Sequence, residues 1–171
     1  HVPVVAYIPE KFKHLVDTKI GEHTNRIINF ADFAPTMLSL AQIEIPDYME
    51  GKPFMGQEIA TPRKYTIGTR SHADNMYEMS MAIRTDKYIY IRHYLPHLPY
   101  IQPGVIFSSK KESLAEFHLL KTEGKLNDLQ MKIYQPKGFE ELYDLENDPK
   151  ELNNLAGNDD FASIMEDLNS E

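Results

Sequence analysis

The chain has 171 residues, 42% of them apolar and 26% charged, a balance typical of a folded domain with a buried core. Its net charge of −8 disfavours nucleic acid and anionic membranes as partners, since basic surfaces bind both. The absence of cysteine excludes disulfides, thiolate metal ligands and thiol nucleophiles. No apolar run approaches the roughly 20 residues of a membrane span.

The chain opens on an apolar segment that predicts a buried strand. Residues 2–8 are nearly all apolar, as in strands that are covered on both faces of an α/β sheet. Neighbouring strands of that kind do not follow, so the segment requires a partner sheet from an upstream part of the polypeptide or from another copy. Because His1 lies inside this segment and is not Met, we interpret the chain as a piece of a longer protein.

A helix and an irregular connector are predicted next. Asp32 is a suitable N-cap for a helix that runs to about residue 42, with Phe33 and Met37 on its apolar face. Residues 43–62 contain several prolines and two glycines, which indicates an irregular connector. We therefore expect a domain boundary at the end of this connector.

After the connector, the pattern changes to the two-residue period of strands. Strands are predicted at residues 65–69, 79–84, 88–94 and 139–145, a hairpin turn at 85–87, and helices at 109–123 and 161–168. The fold class is therefore α/β, and α+β within the chain itself: an edge strand–helix unit followed by a small antiparallel sheet packed with one or two helices. Residues 1–62 are expected to end an α/β domain, and residues 63–171 to form the antiparallel subdomain.

The stretch ELYDLENDPKELNNLA, residues 141–156, predicts a strand, a turn and a short helix. Glu141 and Tyr143 alternate with Leu142 as in a strand with one buried face. The sequence Asn147-Asp148-Pro149 then ends the strand, because proline lacks a backbone N–H and Asn and Asp side chains bond their own backbone. The residues of this stretch suggest no chemistry by themselves.

Three stretches, taken in order, resemble the sulfatase family of the alkaline phosphatase superfamily. HVPVVAYIP followed by INFADFAPTMLSLAQIEIPDYMEGKPF resembles the family's passage from a core strand, through an Asp-x-x-Pro-Thr helix, to a connector that contains glycine. TRSHADNMYEMSMAIRTDKYIYIRHYLPHLPY is closest to heparan N-sulfatase-like (sulfamidase-like) members, and ELYDLENDPKELNNLA resembles the closing signature of the family. Together they cover most of the chain.

The resemblance implies a chemistry that this chain does not itself contain. It places the opening strand and helix at the edge of an alkaline-phosphatase-like sheet. Sulfatases attack sulfur with a formylglycine made from Cys or Ser in a Cys/Ser-x-Pro/Ala-x-Arg motif, beside a calcium ion held by Asp and Asn. The chain has no cysteine, and its one match to the serine form of this motif, Ser80 to Arg84, lies in a predicted hairpin strand. The family's metal carboxylates lie upstream. We therefore assign no catalytic residue and no metal ligand in this chain, and expect formylglycine and calcium only in a full-length enzyme.

Four residues are assigned to substrate binding. Arg70, His72 and Asp74 are predicted to lie in a loop just after a strand, which the resemblance places over the active-site pocket. Arg70 would hold a sugar sulfate or carboxylate through two hydrogen bonds, and the other two would bond sugar hydroxyls. His97, in a loop between prolines, is assigned to sugar contact as well. The alternatives are a polar surface loop with internal ion pairs and, for His97, structural packing.

Other polar side chains are interpreted as structural. Arg84 and Arg92 lie on the predicted hairpin, where contacts with aromatic and cross-strand neighbours explain them. His93 is expected to pack, and His118 to lie partly buried on an apolar helix face. The N-cap role of Asp32 explains that carboxylate.

The resemblance implies the C-terminal portion of a sulfatase-like hydrolase that cleaves a sulfate ester or sulfamide on a sulfated carbohydrate. The expected partners are the upstream catalytic part of the same polypeptide and that substrate, with no nucleic acid and no membrane; self-association of the piece stays open. A periplasmic, secreted or lysosomal location is implied. The piece alone is predicted to be inactive. Two alternatives remain: a phosphate-ester hydrolase of the same superfamily, and a non-catalytic binding module.

Overall fold

The computed structural model describes residues 3–19, 21–73, 76–102 and 111–171. By contacts the chain divides into two compact units, His1–Thr66 and Ile67–Glu171. The helices are α1 (Phe33–Leu40), α2 (Glu112–Thr122), α3 (Asp128–Met131) and α4 (Ala162–Ser170), with 3₁₀ turns at Glu10–Leu15, Phe30–Asp32, Lys132–Tyr134 and Asp159–Phe161. The strands are β1 (Thr66–Ala73), β2 (Met76–Arg84), β3 (Tyr88–His93) and β4 (Glu140–Asp144). No helix in the described ranges is long and apolar enough to cross a membrane.

The opening apolar segment does not form the predicted strand in its described residues, 3–9. Residues 3–9 join no strand within the described part of the chain, and Val5 and Tyr7 are 95% and 89% exposed. A strand forms only where a neighbour completes its backbone hydrogen bonds, and no such neighbour is present among the described residues. The segment therefore has the composition of a buried strand without its pairing.

Asp32 is buried and stands at the N-cap position of α1, but its side chain does not cap that helix. Its backbone is already helical, at φ −78° and ψ −17°, and its side chain makes no cap bond to α1. Instead, the carboxylate accepts from the backbone N–H groups of Asn29 at 2.8 Å and Lys52 at 2.7 Å. It also pairs with the guanidinium of Arg63. Asp32 therefore holds the predicted position at the start of α1 without the predicted capping bond. Asn29 caps the preceding 3₁₀ turn, and Asp32 ties that turn to two later segments.

Helix α1 packs through Pro35, Thr36 and Ser39, and its Phe33 ring meets the ring of Phe54 edge to face at 5.4 Å. Thr36 and Ser39 are buried, whereas Met37, predicted to share a packed apolar face, is 63% exposed. The Thr36 hydroxyl accepts from the backbone N–H of Phe54 at 3.1 Å. The Ser39 hydroxyl accepts from the N–H of Glu58 at 2.9 Å and donates to its carbonyl at 3.1 Å. These bonds fix the irregular connector against the helix.

The second unit is built on a sheet whose strands lie in the order β1-β2-β3-β4 within the described residues. Strand β3 pairs antiparallel with β2 and with β4, so Ile83 faces Tyr90 and Tyr90 faces Leu142. Opposed residues project to the same side of a sheet, and these three form a buried apolar row. Helix α4 contacts β3, where Asn169 accepts from Arg92 at 3.0 Å. The predicted hairpin and small antiparallel sheet are confirmed.

The tail after β4 is a series of turns. Asp144 accepts from the N–H groups of Glu146 and Asn147, both at 3.0 Å, and Asp148 accepts from those of Leu152 and Asn153 at 2.8 and 2.7 Å. Side-chain acceptors thus satisfy the backbone donors that a helix would have used. The predicted strand and turn are confirmed, and the predicted short helix in this stretch was wrong.

Candidate functional site

Two of the predicted substrate residues lie on β1. Arg70 and His72 belong to the strand itself, which continues to Ala73, so the prediction of a loop at these positions was wrong. Both residues are exposed, and the His72 ring lies 5.8 Å from the ring of Tyr77. Asp74 lies outside the described residues. Strand β1 therefore presents an arginine and a histidine at an accessible sheet edge.

Arg70 is held by a buried carboxylate on the neighbouring strand. Its Nη1 lies 3.2 Å from Oε2 of Glu78; the Arg70 side chain is 48% exposed and the Glu78 side chain only 7%. The other carboxylate oxygen, Oε1, accepts from Nζ of Lys137 at 2.8 Å, and that lysine side chain is 2% exposed. The two cations share one carboxylate, which offsets the cost of removing its charge from water.

A second buried carboxylate, Glu141, emerges from the same face of the sheet. In the strand register, Ser80 faces His93 and Ile91 faces Glu141. Side chains two residues apart on a strand share a face, so Glu78, His93 and Glu141 all project to one side. This side is opposite to the apolar row.

Glu141 is bonded by three side chains. Its Oε1 lies 3.0 Å from Nε2 of His93 and accepts from the hydroxyl of Tyr100, while Oε2 accepts from Tyr143 at 3.0 Å. Burial alone would raise the pKa of Glu141, but the hydrogen bonds from His93, Tyr100 and Tyr143 hold it below its ordinary value. Within the described residues, the buried Nδ1 of His93 has no hydrogen-bond partner, so the Nε2 contact orients the ring.

Tyr100 connects the two carboxylates. Its ring lies 4.8 Å from the Lys137 ammonium and meets the His93 ring edge to face, at 6.1 Å and 85°. Burial and the neighbouring Glu141 carboxylate raise the pKa of the Tyr100 hydroxyl, which keeps it protonated as a donor. We call the connected set the sheet-face cluster: Arg70, Glu78, His93, Tyr100, Lys137, Glu141 and Tyr143.

His97 lies outside the sheet-face cluster. It is exposed, in a turn where the N–H of Leu98 bonds the carbonyl of Leu95 at 3.1 Å. Among the described residues, no hydrogen bond, ion pair or ring contact joins His97 to Arg70 or His72. The structure therefore brings Arg70 and His72 onto one strand but does not link His97 to them.

Comparison with known proteins gives a consistent family. No protein-family model matches the chain. An ulvan-active sulfatase of Formosa agariphila is 35% identical over 147 residues, which cover 85% of this chain and 24% of that protein. Another ulvan-active sulfatase of the same organism is 30% identical over 179 residues, covering 98% of this chain and 31% of that protein. The chain matches the C-terminal region of the sulfatase family.

A solved structure agrees with the sulfatase fold. A Bacteroides thetaiotaomicron protein assigned as a sulfatase superposes with a TM-score of 0.50 at 19% identity, over 81% of this chain and 22% of that one. At this identity the likeness concerns the fold alone, and it confirms the predicted class of helices with a small antiparallel sheet. The chain spans about a quarter to a third of the length of its two ulvan-active relatives, so these sulfatases are longer proteins.

The buried carboxylates Glu78 and Glu141 are not arranged to hold a calcium ion. Among the described residues, no group of three or more His, Asp or Glu side chains is arranged to hold a metal ion. The oxygens of Glu78 face Lys137 and Arg70, and those of Glu141 face three hydrogen-bond donors. A calcium ion needs several converging oxygens, which this arrangement does not supply.

Sequence reasoning missed the carboxylates that organise the sheet-face cluster. Glu78 was assigned no role from the sequence, and Glu141 was predicted only as a strand residue. The alternation of Glu141 and Tyr143 with Leu142 was the available signal, because it places a carboxylate and a tyrosine on one face of a strand. Lys137 gave no signal, since it lies in an irregular segment. His93 packs as predicted, through a buried hydrogen bond.

Proposed function

We propose that this chain is the C-terminal portion of a sulfatase-type hydrolase, where it shapes the recognition of a sulfated carbohydrate without supplying the nucleophile. The observation that carries the proposal is Arg70, a half-exposed guanidinium on an edge strand that a buried carboxylate holds in place. A guanidinium matches the geometry of sulfate and carboxylate groups and binds them through paired hydrogen bonds. The sulfatase relatives support the reaction class.

Sulfated polysaccharides are the proposed substrate class. Two relatives are named as ulvan-active sulfatases, and the segment 69–100 resembles heparan N-sulfatase-like proteins. Oligosaccharides of ulvan and of heparan sulfate are therefore the probes, and the one that is desulfated indicates the bond cleaved. This function requires an upstream catalytic part that carries the formylglycine and calcium. It also implies a periplasmic, secreted or lysosomal location.

Replacing Arg70 tests the recognition role in the longer protein that carries this chain. In Arg70→Ala we expect kcat/KM for the sulfated oligosaccharide to fall roughly tenfold to a hundredfold, the loss of about one charge-assisted hydrogen bond. Turnover of a small aryl sulfate should change little, because it has no sugar group to contact Arg70. Arg84→Ala serves as the control, because it removes the same charge from the last residue of the next strand, β2. Equal losses on both substrates contradict the proposal.

The isolated chain is proposed to be inactive, because it has no cysteine and its one serine in the motif spacing, Ser80, lies within strand β2, paired with His93. Turnover of an aryl sulfate by the purified 171-residue chain contradicts this. The coding sequence upstream of His1 separates the alternatives. A Cys/Ser-x-Pro/Ala-x-Arg motif supports a sulfatase, and a threonine or an unmodified serine nucleophile indicates a phosphate-ester hydrolase. A reading frame that opens at or near His1 indicates a non-catalytic binding module.

A further inference from the structure

Glu78 is buried, yet it bonds an arginine that is half exposed. The shorter of its two ion pairs, at 2.8 Å, is with the buried Lys137, and the longer, at 3.2 Å, is with Arg70. Lys137 thus neutralises Glu78 inside the sheet-face cluster. The contact with Arg70 is an addition to a pair whose charges already balance.

The charge balance leaves Arg70 able to attract an anion. Arg70 and Lys137 contribute +2 and Glu78 contributes −1, so these three side chains carry a formal charge of +1. The second carboxylate of the cluster, Glu141, is bonded to His93, Tyr100 and Tyr143, and not to either of these two cations. The contact with Glu78 engages Nη1 of Arg70. A guanidinium has five N–H donors in a planar fork, so the Nε and Nη2 donors stay suited to a second, paired contact. A carboxylate without Lys137 would cancel the charge of Arg70 instead.

The position of Glu78 is fixed from inside the fold. Lys137 lies over the ring of Tyr100, and the hydroxyl of Tyr100 is bonded to Glu141. Glu141 is in turn held by His93 and Tyr143. An arginine that is held by such a support loses less rotamer freedom on binding than one that moves freely in water.

We infer that Glu78, neutralised by Lys137, is a positioning residue that presents Arg70 to an anionic group of the substrate. The inference rests on the proposed function, since it deepens the role given there to Arg70. It assigns substrate discrimination to a buried residue that does not touch the substrate.

A double-mutant cycle in the longer protein tests this positioning role. The variants are Arg70→Ala, Glu78→Gln and the two combined, with Glu140→Gln as the control, because it removes a carboxylate from β4. In Glu78→Gln we expect KM for the sulfated oligosaccharide to rise roughly threefold to tenfold, the range for coupled residues in contact. Its kcat, and both parameters for a small aryl sulfate, should stay as in the wild type. In the Arg70→Ala background, Glu78→Gln should have no further effect.

A second variant keeps the test valid if Glu78→Gln alone impairs folding. The combination of Glu78→Gln with Lys137→Met replaces the buried ion pair by uncharged side chains of similar size. Proteins often tolerate such a replacement. It should give the same rise in KM as Glu78→Gln alone. Additive effects of Arg70→Ala and Glu78→Gln, or equal losses on both substrates, overturn the inference while the selective effect of Arg70→Ala still supports the proposed function. If Arg70→Ala itself shows no selectivity, both fail.

Discussion

Replacing Glu141 by glutamine tests whether the hydrogen bonds of the sheet-face cluster stabilise the fold. The substitution keeps the shape of the side chain and removes its charge. A hydrogen bond to a charged group contributes about 1.5–3 kcal/mol and one between neutral groups about 0.5–1.5 kcal/mol, so each bond loses about 1 kcal/mol. With bonds from His93, Tyr100 and Tyr143, and some relief from burying a neutral group, we expect a loss of about 2–3 kcal/mol at pH 7.

The amide is expected to adopt one orientation. His93 and Tyr100 both contact Oε1, whereas Oε2 accepts from Tyr143 alone. The new NH₂ group should therefore face Tyr143, because a hydroxyl can rotate and accept a hydrogen bond. The opposite orientation would set donors against each other and would increase the loss.

The direction in which the stability difference changes with pH follows from the lowered pKa of Glu141. The folded chain holds the pKa of Glu141 below its ordinary value near 4.5, so on acidification the unfolded chain takes up the proton first. The stabilisation by the carboxylate is therefore fully present above about pH 4.5 and is lost as the pH falls through the lower folded pKa. One proton changes the free energy of unfolding by at most about 1.4 kcal/mol per pH unit. Since the glutamine side chain of the variant does not titrate, the deficit of the variant relative to the wild type should shrink in acid.

Urea unfolding of the 171-residue chain at pH 7, 5, 4 and 3, followed by circular dichroism, measures both effects. Glu116→Gln is the matched control, because Glu116 is exposed on α2, and its unfolding free energy should stay within about 0.5 kcal/mol of the wild type. A loss below that limit for Glu141→Gln at pH 7, or a deficit that grows on acidification, would refute the reasoning.

Two further predictions concern the first unit. Asp32→Ala leaves Arg63 without its carboxylate and the N–H of Lys52 without its acceptor, so the unfolding free energy in urea should fall by about 3 kcal/mol; a loss below about 1 kcal/mol contradicts the buried clamp. Gly56→Ala should cost at least about 1 kcal/mol, because Gly56 has φ +111° and a Cβ there would lie 2.1 Å from the Ser39 hydroxyl. Gly68→Ala is its control, because a Cβ there meets nothing within 4 Å. Its unfolding free energy in the same assay should equal that of the wild type.

The antiparallel sheet was predictable because its signals are local. Alternation in β2 and β3, the short turn between them and the apolar residues of each strand all lie within a few residues of one another. The register then follows from the turn, which sets Arg84 opposite Ile89 and places Ile83 against Tyr90. The family resemblance of the same segments pointed to the C-terminal region of sulfatases, which the relatives support.

What could not be predicted depends on contacts between distant residues. Asp32 has the residue type of an N-cap, but Lys52 and Arg63, 20 and 31 residues later, engage its carboxylate instead. Met37 has the spacing of a packed face, yet the connector packs on Thr36 because a hydroxyl satisfies its backbone N–H. Local patterns rank residues by polarity, and they do not show which polar groups a later segment will bond.

The two buried carboxylates of the sheet-face cluster differ in their partners, because only Glu78 contacts an arginine that can bind a substrate group. Glu141 is surrounded by donors that are themselves part of the fold, so its replacement should appear as lost stability. Glu78 shares its charge between Lys137, which is buried, and Arg70, which is half exposed, so it is the carboxylate that extends the network to the surface. If the cluster were purely structural, replacing Glu78 would lower stability and impair all substrates alike. A selective rise in KM for the sulfated oligosaccharide at unchanged kcat is therefore the result that separates positioning of Arg70 from support of the sheet.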